Sequence, residues 1–127
     1  MNYQGRCSAR QAIVVAAALV SLLVQFKTGE AAVFTVGDTS GWSFNVQSWT
    51  DGKKFKAGDT LIFNYDRSFH NVAVVGVNEY KSCTSSPSSK AYSSGRDRIK
   101  LSKGKNYFIC SVPTHCNSGL NIAVDAS

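Results

Sequence analysis

The chain has 127 residues and a formal net charge of +6, with 14 Lys and Arg against 8 Asp and Glu. This length accommodates one small domain. The basic residues are scattered, and the single tight group, Lys53, Lys54 and Lys56, is most simply a solvated face. The composition therefore argues against a nucleic-acid-binding protein, whereas the positive charge favours contact with polyanions.

The first 31 residues have the order of a secretory signal peptide. Arg6 and Arg10 precede an unbroken run of small and apolar residues, 12–24, with no acid before it. A membrane anchor and a buried N-terminal helix are the alternatives, but the run is shorter than the ~20 residues of a membrane span. Gly29 and Ala31 occupy the −3 and −1 positions of a small-residue cleavage site, which predicts removal of 1–31 and a mature domain of residues 32–127.

We expect the mature chain to be secreted into the extracellular space, the apoplast or cell wall. Its net charge is +4, because the leader carries away three of the basic residues and one acid from the total of +6. The C-terminal segment, 121–127, has no hydrophobic tail, so we expect neither a GPI anchor nor any other membrane anchor.

The mature segment has the pattern of an all-β domain. Short runs rich in β-branched and aromatic residues alternate with turn residues, which is typical of a sandwich or barrel. The predicted strands are Val33–Val36, Thr60–Tyr65, Asn71–Val77, Arg98–Leu101, Tyr107–Val112 and Asn121–Val124. The serine-rich stretch Ser82–Ser94 predicts a loop with room for a short helix, and Gly58-Asp59 predicts a turn.

Cysteine counting leaves one thiol over. Cys7 lies in the leader, so the mature chain retains Cys83, Cys110 and Cys116. In an oxidising compartment two of the three are expected to pair. The remaining thiol is then a dimer link, a reactive group or a metal ligand.

The two histidines favour the metal. His115 follows Cys110 in a Cys-x4-His loop, and His70 lies forty residues upstream of the cysteine. Strand alternation directs Cys110 and His70 toward an apolar interior. A thiolate with two imidazoles in a plane is the ligand set of blue-copper electron-transfer sites. A Cys–His hydrolytic pair lacks an evident orienting Asn or Asp, and structural zinc prefers four ligands.

Several segments resemble the phytocyanins, and within them the plantacyanin or basic blue protein group. The resemblance covers essentially all of 32–127. Its motifs are Gly41-Trp42, Phe55–Tyr65, His70-Asn71-Val72, Ser94–Asp97 and Tyr107–Val124.

This resemblance implies a cupredoxin-like Greek-key β-sandwich or barrel of two sheets, with at most short helices. It also implies one copper ion held by His70 Nδ1, Cys110 Sγ and His115 Nδ1. The family disulfide falls on Cys83 and Cys116. Asn71 is expected to tie the first histidine's strand to the cysteine loop, and Pro113 restricts the backbone between the loop ligands.

Leu120 departs from the family pattern. Plantacyanins place a methionine at this axial position, whereas leucine has no donor atom and cannot coordinate. We therefore expect a nearly three-coordinate copper with a higher reduction potential than a methionine version of this chain.

The predicted function is that of a secreted, monomeric type 1 copper protein that carries single electrons between extracellular partners, and not an enzyme. Its partner would be a redox protein or a small redox molecule, reached through His115 beside an apolar patch of Pro113 and Leu120. The alternative is a cell-wall copper-binding signalling or interaction protein that contacts acidic polysaccharide. A weaker third reading, an oxidoreductase acting on phenolic or oxygen species, lacks an acid/base pair in the sequence.

Overall fold

A computed structural model describes residues 30–127, and residues 31–127 form one compact unit. Except for its last two positions, the expected signal peptide lies outside the described residues. Within the described range, no helix has the length and apolar character needed to cross a membrane.

Residues 30–127 form seven short strands and little helix. The strands are β1 (Val33–Thr35), β2 (Thr60–Asn64), β3 (Val72–Val75), β4 (Lys90–Tyr92), β5 (Arg96–Lys100), β6 (Gly104–Ile109) and β7 (Asn121–Ala126). One α-helix, α1 (Val77–Ser82), and three 3-10 turns, Asp38–Ser40, Gln47–Thr50 and Cys116–Ser118, complete the described elements. The predicted all-β class with only short helices is confirmed.

The strands form two sheets. The smaller has the order β1-β2-β5, with β1 parallel and β5 antiparallel to β2. The larger has the order β4-β3-β6-β7 and is antiparallel throughout. Ala73 near the start of β3 and Asn121 at the start of β7 both pair with Ile109, the last residue of β6. The topology therefore brings the segments before β3, after β6 and before β7 to one pole.

Two apolar clusters support this framework. The main core contains Trp42, Phe63 and Phe108, whose rings lie 5.1 Å apart in successive edge or tilted contacts. The second cluster includes Ile109 and Cys116, against which Tyr80 of α1 packs. Burying such side chains contributes roughly 1.5–3 kcal/mol each before entropy is counted.

The Cys83–Cys116 disulfide predicted from the family resemblance is present. It connects the end of α1 to the 3-10 turn that follows His115, across a sequence separation of 33 residues. In the chain-entropy model a loop of this length contributes about 3–4 kcal/mol. The bond therefore stabilises the same loop that carries Cys110 and His115.

Several local predictions were wrong, among them the strand expected to reach Val112, which ends at Ile109. The stretch expected to be a loop contains strand β4, which pairs with β3 through the backbone while Lys90 and Ala91 stay exposed. The strand expected to reach Val77 ends at Val75, because the chain turns at Gly76 into α1. Glu79 Oε1 accepts a hydrogen bond from the Gly76 N–H at 3.3 Å, which caps the helix.

Candidate metal centre

Three potential metal ligands converge at the pole where β6 ends. His70 Nδ1 and His115 Nδ1 lie 3.0 Å apart, and Cys110 Sγ lies 3.7 Å from His115 Nδ1. All three donor atoms lie within 4.8 Å of one another. Cys110 is the free cysteine of the described residues and is only 1% exposed. The structure thus brings together the three residues that the sequence singled out.

The loop after β6 positions Cys110 and His115. The Cys110 N–H donates to the Leu120 carbonyl at 3.0 Å, and the Leu120 N–H donates to the His115 carbonyl at 3.1 Å. A third bond, from His115 N–H to the Val112 carbonyl at 3.1 Å, closes the turn that contains Pro113. These backbone bonds hold the cysteine and the histidine at a fixed separation.

Asn71 connects the His70 segment to the cysteine loop. Its Oδ1 accepts the Ser111 N–H at 2.8 Å, and its Nδ2 donates to Ser111 Oγ at 2.7 Å. Its carbonyl accepts the Trp42 indole N–H at 2.9 Å. Because Ser111 directly follows Cys110, this two-point contact fixes two ligand-bearing segments against each other. The expected link between Asn71 and the cysteine loop is therefore present in the structure.

Leu120 and Pro113 have different surroundings. Leu120 is 0% exposed and belongs to the main core, together with Cys110. Pro113 is exposed. The expected apolar surface patch of Pro113 and Leu120 is wrong in its second member, because a fully buried side chain cannot contact a partner.

Phe44 is the functional candidate that the sequence analysis missed. Its ring packs edge-on against both imidazoles, 5.3 Å from His70 and 5.0 Å from His115, and 45% of the residue is exposed. Nearby in sequence to His70, Phe69 is 63% exposed. The exposed Phe44 thus supplies apolar surface beside both imidazoles. A single Phe in a loop carries no periodic signal, so no pattern in the sequence indicates its role.

Gly119 explains how the Phe44 loop is held. A Cβ on Gly119 would lie 2.8 Å from the Asn45 backbone nitrogen, and its φ of +93° favours glycine. The Val46 N–H donates to the Gly119 carbonyl at 3.2 Å. The loop that carries Phe44 therefore rests directly on the turn between His115 and Leu120.

The electrostatics favour a cation between the imidazoles. Burial lowers the pKa of His70, and the nearby His115 lowers that pKa further. A neutral ring leaves a nitrogen lone pair available for coordination. Two Nδ1 atoms 3.0 Å apart beside a thiol form a soft, mixed donor set that suits copper. The residues present therefore fit a copper ion, while Leu120 supplies no fourth protein donor of the kind structural zinc prefers.

Comparison with known proteins agrees with this geometry. The family model for the plastocyanin-like domain matches residues 39–120. A chemocyanin of Lilium longiflorum is 52% identical over 124 residues, which cover 98% of each chain. This chain belongs to the plastocyanin-like phytocyanin family. The resemblance inferred from its motifs is confirmed.

Two solved phytocyanin structures resemble this phytocyanin closely. Cucumber basic protein, a blue copper protein, is 53% identical with a TM-score of 0.74, and spinach plantacyanin is 49% identical with a TM-score of 0.69. Each match covers 76% of this chain and 100% of the solved chain. The two solved proteins thus fold without a counterpart of the remaining quarter of this chain.

Proposed function

We propose that this phytocyanin is a secreted, monomeric type 1 copper protein that carries single electrons, with His70, Cys110 and His115 holding one copper ion. The observation that carries the proposal is the convergence of a buried thiol and two imidazole nitrogens within 4.8 Å. Bound copper supplies a one-electron couple between Cu(I) and Cu(II). Such a carrier requires no catalytic acid or base, so we place it among electron carriers and not among enzymes.

The surrounding residues suit this role. Burial of Cys110 keeps water from the thiolate, and the Asn71–Ser111 contact limits movement of the ligand segments. His70 and His115 are half-buried, so their imidazoles lie between the interior and the surface. The exposed Phe44 beside them offers an apolar contact for a redox protein or a small redox molecule.

The visible absorption spectrum of residues 32–127 with one equivalent of Cu(II) tests the copper proposal. We expect an intense blue band from cysteine-to-copper charge transfer that disappears in Cys110→Ser. Ser88→Ala, in an exposed serine stretch, is the matched control and should keep the band. A colourless wild-type protein that is folded would contradict the proposed ligand set.

Electron exchange tests the carrier role separately. NMR line broadening in mixtures of the Cu(I) and Cu(II) forms measures the self-exchange rate. We expect rapid exchange because the Asn71–Ser111 hydrogen bonds and the backbone bonds that join Leu120 to Cys110 and His115 restrict rearrangement of the ligands. A blue protein with very slow exchange would support the alternative function, in which copper binding matters more than electron transfer.

Secretion is proposed on two grounds. Residues 1–31 have the charge and apolar pattern of a signal peptide. The solved relatives, matched over their whole length, correspond to 76% of this chain, as expected if the leader is absent from the mature protein. We infer that the mature domain acts outside the cell, in the apoplast or cell wall.

A cluster of lysines favours the alternative of a cell-wall interaction protein. Lys54 and Lys56 precede β2, and Lys100 and Lys103 flank the turn between β5 and β6. Hydrogen bonds join the two segments, from Gly58 N–H to the Leu101 carbonyl at 2.9 Å and from Leu101 N–H to the Asp59 carbonyl at 2.7 Å. The four lysines are exposed at the ends of strands opposite Cys110. We name them the lysine pole.

Binding to polygalacturonate tests this alternative. Lys54→Glu with Lys103→Glu should weaken binding, and the wild-type affinity should fall as salt is added. Lys81→Glu with Lys90→Glu changes the same charge on exposed positions outside the lysine pole and is the control. Equal losses in the two double variants would indicate a response to net charge alone. Binding that persists in the copper-free protein would separate this function from electron transfer.

A further inference from the structure

Asp59 is a buried carboxylate without a cationic partner among the described residues. It is 2% exposed, and the one salt bridge within residues 30–127 joins Lys105 to Asp125. Its Oδ2 accepts the Lys56 N–H at 2.8 Å, and its Oδ1 accepts the Ala32 N–H at 2.8 Å. Backbone amides stabilise this carboxylate, but no cation within residues 30–127 pairs with it.

The two contacts of Asp59 have different significance. The Lys56 contact belongs to the turn predicted at Gly58-Asp59, since the Asp59 N–H also donates back to the Lys56 carbonyl at 3.0 Å. The Ala32 contact spans 27 positions and is not needed for that turn. It directs a carboxylate oxygen at the backbone nitrogen that follows the expected signal-peptide cleavage site.

We propose that Asp59 receives the α-ammonium group of the mature N-terminus, and that processing occurs between Ala31 and Ala32. This inference rests on the secretion part of the proposed function. An endopeptidase of the secretory route would hydrolyse the Ala31–Ala32 peptide bond with one water molecule. Ala31 leaves as a carboxylate, and the Ala32 nitrogen becomes an ammonium. The hydrogen bond from an uncharged amide to Asp59 is thereby replaced by an ion pair.

The position of Ala32 makes this arrangement specific to one cleavage point. The Ala32 carbonyl accepts the Thr60 N–H at 2.9 Å, next to the first pair of the β1–β2 ladder, Val33 with Thr60. Cleavage one residue later would remove this bond together with the Asp59 contact. Cleavage one residue earlier would leave an amide at Asp59 and place the ammonium one residue away.

The ion pair has a structural consequence for β1. This strand has three residues, lies at the edge of the smaller sheet and, among the strands of residues 30–127, pairs with β2 alone. An ammonium adds a full positive charge to the hydrogen bond that the Ala32 amide already makes, and opposite charges attract more strongly at a buried carboxylate than in bulk water. An ammonium at Ala32 would therefore fix the start of β1 to the turn that precedes β2 more firmly than the uncleaved chain can.

A double-mutant cycle tests the ion pair. Two of the four proteins begin at Ala32 and two begin at Ala31, and each pair consists of the wild type and Asp59→Asn. All four are produced by cleavage of a fusion protein that leaves no additional residue at the N-terminus. With Asp59 present, retention of Ala31 should lower the Tm by about 4–8 °C, which is the shift expected when a domain of this size loses one favourable interaction. In the Asp59→Asn background the same extension should have much less effect.

Controls separate the charge from the added residue. In Asp51→Asn, which alters an exposed acid, the extension should lower the Tm as it does in the wild type. If Asp59→Asn does not fold, α-acetylation of Ala32 in the wild type removes the same ammonium, and it should lower the Tm similarly. Equal Tm values for free, acetylated and extended chains, or equal extension effects with and without Asp59, would overturn the ion pair.

Sequencing of the N-terminus tests the processing site. The full chain, expressed in a eukaryotic host, should be recovered from the medium with Ala32 first. A secreted protein that begins elsewhere overturns the processing site, whereas retention of the whole chain inside the host overturns the secretion proposal on which it rests. The blue band, recorded for the folded members of the cycle, reports on the copper site independently of either outcome.

Discussion

Replacement of Asn71 by alanine should loosen the ligand site without removing a ligand. The change deletes two side-chain hydrogen bonds to Ser111, of 2.7 and 2.8 Å, and leaves the partly buried Ser111 N–H without its acceptor. A typical hydrogen bond contributes about 0.5–1.5 kcal/mol, so the copper-free domain should lose about 1–3 kcal/mol of stability. For a domain of this size each kcal/mol lowers the Tm by roughly 4–8 °C.

The copper-bound form distinguishes this interpretation from a general loss of stability. If Asn71 orients the ligand segments, Asn71→Ala should also broaden or shift the blue band and raise the reorganisation energy that slows electron self-exchange. Asn117→Ala, at an exposed position of the same loop, is the control and should leave both properties unchanged. A destabilised Asn71→Ala protein with an unaltered blue band and exchange rate would refute the orienting role.

Three further predictions concern neighbouring side chains. Leu120→Met should lower the reduction potential, measured by redox titration, because a thioether stabilises Cu(II); the stability cost of this volume-conserving exchange should stay below about 1.5 kcal/mol. An equal or higher potential would contradict a non-coordinating Leu120. Phe44→Ala should also lower the potential by admitting water to both imidazoles, whereas Phe69→Ala, the control, should change it less. Burial, reinforced by the hydrogen bond to Asp97, raises the pKa of Tyr65 to about 12. Since the folded state holds this proton more tightly, the stability it contributes is complete below pH 10 and is lost as the pH rises toward 12. In an ultraviolet difference titration, the wild type should show a tyrosine ionisation step near pH 12 that is absent from Tyr65→Phe.

The sequence predicted the chemical identity of the site better than its surroundings. Cys110 and the two histidines form an unusual combination in a chain that is expected to be secreted, and their chemistry restricts the choice of metal without any knowledge of geometry. The all-β class could also be predicted from the sequence, since runs of β-branched residues such as those of β2 and β7 alternate with turn residues. Strand β4 was missed because it is a short edge strand whose pairing depends on β3, not on its own residues.

Contacts between loops that are distant in the chain could not be predicted from the sequence. Phe44 reaches the imidazoles only because its loop rests on Gly119, and nothing in the local sequence specifies that close approach. The lysine pole has the same origin. Lys54 and Lys56 were interpreted from the sequence as a solvated face. Hydrogen bonds between distant segments place the turn that carries Lys103 beside them, and the sequence alone does not indicate this.

The separation of these features along the strands has a functional implication. The ligand segments lie where β6 ends and β7 begins, whereas the lysine pole and Asp59 lie near the opposite ends of β2 and β5. A polyanion bound at the lysine pole would therefore leave Phe44 and the imidazoles accessible to a redox partner. Electron transfer and attachment to an acidic matrix are for this reason compatible in one molecule, and wild-type protein bound to polygalacturonate should exchange electrons with a small redox reagent as rapidly as free protein. Slower exchange in the bound state would mean that the polymer covers Phe44 and the imidazoles, and that the two functions compete.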